Sequence, residues 1–148
     1  MEGIVYSFEK LKAWQEAKKL VVEVYHLLDG FPQFEKFEDI LAWQKARVLV
    51  DKVYGAFEGS KDWGFNDQIQ RAAVSIMNNI AEGYEKKSNA DFVKYLYISK
   101  GSCGEVRSML YVAVDLHKIT QSQFNELYAL SYEISRMLSG LIKSINAE

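Results

Sequence analysis

A single proline, Pro32, in 148 residues leaves nearly the whole chain free of the strongest helix breaker. A single cysteine, Cys103, excludes an internal disulfide and a cysteine-built zinc site. It also fits a reducing, cytoplasmic setting. The only two histidines, His26 and His117, have no Glu-x-x-His partner at helical spacing, so no metal centre and no cofactor is expected. No apolar run approaches the ~18–20 residues of a membrane helix; the uninterrupted stretches are short, such as Val48-Leu49-Val50. Met1 to Phe8 lacks the basic start and apolar core of a signal peptide. Neither charge dominates: 18 basic residues against 20 acidic give a net charge of −2. A protein that grips nucleic acid by its phosphates needs a concentrated positive surface, and the net charge supplies none. Strand signals are missing as well, with no clean alternation and no Asn-Gly hairpin.

What is present is ordinary globular material, 49% hydrophobic and 26% charged, which excludes a disordered chain and allows one domain with a real core. Five segments carry helical periodicity. The first runs from about Phe8 to Leu28, with Leu11, Trp14, Ala17, Val21, Val24/Tyr25 and Leu28 as its stripe. Asp29-Gly30-Phe31-Pro32 stops it.

The second segment, about Phe37 to Phe57, repeats the first at an offset of 29 residues. Phe8-Glu9 matches Phe37-Glu38, Ala13-Trp14-Gln15 matches Ala42-Trp43-Gln44, and Ala17 matches Ala46. Leu20-Val21 and Val24-Tyr25 return as Leu49-Val50 and Val53-Tyr54. More than half of the eighteen positions are identical, beyond what a shared apolar pattern produces. The copies differ where Lys12 and Lys19 become Leu41 and Val48, on one helix face. The wider apolar surface predicts deeper burial for the second copy. Residues 37–148 then form the bundle, and residues 1–36 are an additional, peripheral helix.

The third segment, about Asn66 to Tyr84, buries Ile69, Ala73, Ile76, Ile80 and Gly83/Tyr84, with Gly83 in a tight packing contact. Ser88 or Asn89 caps the fourth, about Ala90 to Lys118. Its seam is Phe92, Leu96, Ser99, Cys103, Val106, Leu110 and Ala113, and Gly101 and Gly104 predict the close approach of another helix. The fifth, about Gln123 to Ile145, turns Leu127, Leu130/Ser131, Ile134, Leu138, Leu141 and Ile145 inward. Short connections between long amphipathic helices imply antiparallel neighbours. The expected fold is all-α: an antiparallel up-down four-helix bundle plus one extra N-terminal helix.

Several stretches carry a resemblance. Ala42-Trp43-Gln44-Lys45-Ala46-Arg47 resembles the opening helix of the 23S rRNA intervening-sequence proteins. Gln70-Arg71-Ala72-Ala73-Val74-Ser75-Ile76, followed by Asn79-Ile80-Ala81-Glu82-Gly83-Tyr84, resembles that family's most recognisable stretch. Phe92, Gly101-Ser102 with Glu105, and Glu133-Ile134-Ser135-Arg136-Met137-Leu138 also fit, so the likeness spans roughly residues 37 to 146. Met77 stands where the family has a proline, and the first 36 residues are an added copy. The resemblance implies a left-handed bundle that assembles into ring-like homo-oligomers, often pentamers. It also implies a link to inserts in bacterial 23S ribosomal RNA genes. A related branch, the accessory proteins of diversity-generating retroelements, partners a reverse transcriptase and binds nucleic acid through a basic surface.

Arg71, Asn79, Glu82, Ser102 and Glu105 form the most suggestive constellation, Asn79/Glu82 and Ser102/Glu105 each sharing a helix face. They read either as a recognition or acid/base site or, more commonly, as a buried polar network holding helix register. With no nucleophile nearby, the structural reading is preferred and no catalytic residue is assigned. His26 and His117 read as helix-end residues facing the dipole, and Cys103 as a small buried hydrophobe. Gly101-x-x-Gly104 is no phosphate loop, because no strand precedes it. Lys86, Lys87 and Lys94 suggest a small basic rim, repeated around a ring, against the plainer reading of a solvated turn. Tyr95, Tyr97, Tyr111, Tyr128 and Tyr132 exceed what one seam absorbs and suggest a protein interface. The functional expectation is a non-enzymatic, self-associating scaffold or adaptor, alone or beside an RNA-linked or reverse-transcriptase-like protein. The alternative is direct RNA or DNA binding through the basic rim. No membrane partner is expected.

Overall fold

The computed structural model describes residues 34–147 and, apart from them, Glu16 alone. The chain divides into two units, Met1–Gln33 and Phe34–Glu148, and the helical bundle is the second of them. The first copy of the repeat and His26 lie outside the described residues. After a single 3-10 turn, Phe37–Asp39, come four helices: α1 (Leu41–Ala56), α2 (Trp63–Glu85), α3 (Asn89–Asp115) and α4 (Gln121–Ile145). No strand occurs among the described residues.

Three of the four helix starts have an identifiable local cause. Asp62 caps α2 by accepting from the Phe65 amide at 3.2 Å. Ser88 caps α3, accepting from the Asp91 amide. Thr120 and Gln123 form a reciprocal capping box at α4, with bonds of 3.1 and 2.9 Å. Asp62 starts α2 three residues earlier than periodicity predicts, its side chain capping the turn that brings Phe65 onto the core. The helix then runs unbroken through Met77 to Glu85. Two helices end without the glycine that usually takes the left-handed residue: Lys87 has φ 54° and His117 φ 53°.

Each helix packs on its sequence neighbours, and α4 packs back on α1. Cross-links show neighbouring helices running in opposite directions. On α2 and α3, Gln68 meets Glu105, Ser75 meets Ser102, and Glu82 meets Tyr95. On α1 and α4, Lys45 pairs with Glu133 and Lys52 with Glu126. Inside lies one cluster running from Ile40 to Ile145, including Leu49, Ile76, Leu96, Leu110, Ile134 and Leu138. Burying each of these larger side chains stabilises the fold by about 1.5–3 kcal/mol.

Two packing expectations fail. The buried residues of α1 are Ala42, Ala46, Leu49 and Val53, whereas Leu41 is 47% and Val48 46% exposed. The apolar residues peculiar to the second copy therefore lie outside, in a shallow groove with Leu130 of α4, because α1 meets the core along its alanine edge. Gly101 and Gly104 also face outward. A methyl on Gly101 would meet nothing within 4 Å, and one on Gly104 only the Arg107 side chain at 4.0 Å. Gly83 does sit in a close contact, its missing Cβ replaced by Tyr95 and Phe92.

Candidate functional site

The residues expected to form one buried network are spread along the α2–α3 seam instead. Only Asn79 and Ser102 come together, and they do so through Ser75. Ser75 and Ser102 share a 2.9 Å hydrogen bond, while the Asn79 amide donates to the Ser75 carbonyl at 2.7 Å and hydroxyl at 3.0 Å. Ser102 is buried and Asn79 half-buried. Arg71, Glu82 and Glu105 are exposed. Arg71 reaches Asp67 one turn back on its own helix, at 3.7 Å. Glu82 accepts from the Tyr95 hydroxyl at 3.1 Å, and Glu105 accepts from Gln68 at 3.5 Å. With the Ser99 hydroxyl donating to the Ile76 carbonyl at 2.7 Å, the seam is a row of separate polar rungs. Long side chains at its edges swing to solvent, while only serines are short enough to remain between the helices. These rungs hold register and converge on no common point where a substrate could react.

The α3–α4 seam carries a second polar row with a cationic edge. The Ser131 hydroxyl donates to the Cys103 carbonyl at 3.1 Å. Arg107 donates to the Ser131 carbonyl at 3.5 Å, and Lys100 to the Ser135 hydroxyl at 3.2 Å. Cys103 is fully buried, and burial pushes its thiol up to about 11, despite Arg107 and Lys100 nearby. The thiolate is the nucleophilic form, so this cysteine is inert at neutral pH.

Outside this row runs an aromatic ladder. Phe124, Tyr128 and Tyr132 occupy successive turns of α4, with ring centroids 5.4 and 6.5 Å apart. Tyr111 of α3 packs against Phe124 at 5.0 Å and Tyr128 at 5.8 Å. The neighbouring Tyr128 hydroxyl holds that of Tyr111 above the usual tyrosine range. Arg107 lies over the Tyr132 ring at 5.8 Å. Of the five tyrosines suggested as an interface, Tyr111, Tyr128 and Tyr132 belong to this ladder. Tyr97 is 57% exposed further along α3. Tyr95 is half-buried instead, wedged against Gly83 beneath the Lys86 ammonium. Sequence reasoning missed Phe124 and Arg107. The four-residue spacing from Phe124 to Tyr132 is legible, but the partnership with α3 is not a local signal.

Lys86, Lys87 and Lys94 are all exposed around the α2–α3 turn. His117 is exposed too, in the turn after α3. Among the described residues no group of three or more His, Cys, Asp or Glu is arranged to hold a metal ion. Nor, among them, is any helix long and apolar enough to cross a membrane.

Comparison with known proteins agrees with this architecture. A Bacteroides thetaiotaomicron protein of unknown function, from the S23 ribosomal protein family, has a similar crystal structure. The TM-score is 0.66 at 25% identity, over 70% of this chain and 99% of that one. No curated protein matches the chain. The model of the 23S rRNA-intervening sequence protein family matches residues 38–140, a span that includes all of α1 to α3 and most of α4. The chain belongs to that family.

Proposed function

We propose that the chain is a non-enzymatic helical-bundle scaffold or adaptor that self-associates through the outward side of α3 and the aromatic ladder beside it. One observation carries this reading: α3 is apolar on both sides. Its inner seam is buried, yet Tyr97, Ile98, Tyr111 and Val112 are 44–57% exposed on its outer face. Leu116, which caps the helix, is 60% exposed, and Tyr132 is 51% exposed across the seam on α4. Helices apolar all round belong inside a larger assembly, and tyrosine-rich patches are enriched at protein interfaces. Gly101 and Gly104 leave a flat strip between these side chains on which a second backbone can lie.

The glycines make the reading testable. Within one chain, Gly101→Ala and Gly104→Ala should each stabilise α3 by up to ~1 kcal/mol, because the methyls meet open space. In an assembly seated on that strip, the same methyls push the second copy away. Light scattering after size-exclusion chromatography should show an oligomer for the full chain and a smaller species for the doubly substituted one. That smaller species should melt no lower. A monomeric full chain, or a variant that assembles as before, refutes the proposal.

A second reading, direct RNA or DNA binding, draws on Lys86, Lys87 and Lys94. All three are exposed at one end of the α2–α3 pair, and no ion pair neutralises them among the described residues. Binding of that kind weakens steeply with added salt, which separates it from association through tyrosines.

A further inference from the structure

The first helical position of the bundle is specified by sequence that occurs twice. All four buried residues of α1, Ala42, Ala46, Leu49 and Val53, recur as Ala13, Ala17, Leu20 and Val24. Trp43 and Val50, packed at the edge of the core, recur as Trp14 and Val21. Every residue of α1 that differs between the copies is exposed or half-buried. The buried side of the helix therefore cannot distinguish one copy from the other, because it is the same in both.

The charged edge can. α1 meets α4 through two ion pairs, Lys45 with Glu133 at 3.4 Å and Lys52 with Glu126. In the first copy both lysines are replaced by acids, Glu16 and Glu23. The two positions are seven apart on α1 and their partners seven apart on α4, so both pairs lie along one edge. With residues 12–27 in the α1 position, two attractions would become two repulsions at once. Leu41, Val48 and Asp51, which answer to Lys12, Lys19 and Val22, are all exposed and form no ion pair with a described residue.

We propose that Lys45 and Lys52 select which copy of the repeat serves as the first helix of the bundle. By the same rule, residues 8–28 match a bundle whose fourth helix is basic at those two points. The side chains of both pairs are 38–56% exposed, so the share of each is modest. Trading an attraction for a repulsion is worth about three- to fivefold per pair, and roughly tenfold for both. Chain connectivity favours the same copy, since the first must reach α2 across a longer loop, at a cost of roughly tenfold. Only a charge reversal separates the two contributions.

Urea unfolding of the full chain makes that separation. Leu49→Asp removes the second copy from the core, and the chain is expected to lose stability. Adding Glu16→Lys and Glu23→Lys should then restore about tenfold in the folding constant, because the first copy now matches α4. The same two substitutions beside an intact Leu49 should restore nothing. A complementary variant needs no core lesion: Glu126→Lys with Glu133→Lys, both partly exposed, its fold checked by circular dichroism. In that background Leu49→Ala should lower the urea midpoint less than it does in the wild-type chain, and Leu20→Ala should lower it more. Absence of recovery through Glu16 and Glu23 overturns the proposal, as does an unchanged effect of Leu49→Ala when the charges of α4 are reversed.

Discussion

Gly83 sits where α2 and α3 come closest, and a methyl there would lie 2.5 Å from Tyr95 Cβ and 3.1 Å from Phe92. The nearest obstacle is a Cβ tied to its own backbone, so it cannot swing away and the helices themselves must part. Gly83→Ala is therefore expected to destabilise the fold by about 1–3 kcal/mol, overriding the ~1 kcal/mol that alanine gains in a helix. Gly140 of α4 has open space where its Cβ would be. Gly140→Ala should shift the urea midpoint the other way. Equal midpoints for the two variants would mean that α2 and α3 do not approach so closely. Both glycines look alike in the sequence, because a missing side chain carries no information about what fills the space. Cys103 is the opposite case. Its place on an apolar seam is legible from spacing alone, and burial accounts for its raised pKa.

Among the elements, the connections are what tie the helix ends together. Asp62 caps α2 and also pairs with Lys118, from the α3–α4 connection, at 2.7 Å. Those two contacts, Lys118 first, lower its pKa below the usual 3.8. A carboxylate depressed in the folded state contributes stability above its unfolded pKa and loses that contribution as pH falls through the folded value. Asp62→Asn keeps an acceptor for the cap but removes the charge. The stability difference between wild type and Asp62→Asn should be constant above about pH 5 and shrink steadily below about pH 4. Thermal melts at stepped pH measure it, and a difference that persists undiminished into acid would remove Lys118 from the explanation. Both capping residues at α3 and α4 lie where turn chemistry puts them. The pairing of Asp62 with Lys118 spans 56 residues, and no local pattern announces it.

For the whole molecule, the unit Phe34–Glu148 carries a continuous hydrophobic core of its own. A chain starting at Phe34 is expected to unfold cooperatively and keep the helical content of four helices. A start at Phe37 should be about 0.5–1.5 kcal/mol weaker, because Phe34 packs on the core and its carbonyl accepts the Tyr84 hydroxyl. Circular dichroism melts of the two truncations decide the point; loss of cooperativity in the longer one would show that the core needs residues 1–33. The repeat sharpens this. Every buried residue of α1, namely Ala42, Ala46, Leu49 and Val53, has an identical counterpart in Ala13, Ala17, Leu20 and Val24.

The sequence by itself determined that this chain is helical, where α3 caps, which residues form the inner seams of α2, α3 and α4, and which family it belongs to. Those properties repeat every three or four residues or sit in adjacent positions, so they are written locally. Only the tertiary structure decided that Leu41 and Val48 face outward and that Arg71, Glu82 and Glu105 stand apart at the seam edges. It alone joined Tyr111 to the ladder on α4. Each of those outcomes depends on which neighbouring helix stands opposite and how near, a distance that periodicity along one helix does not contain.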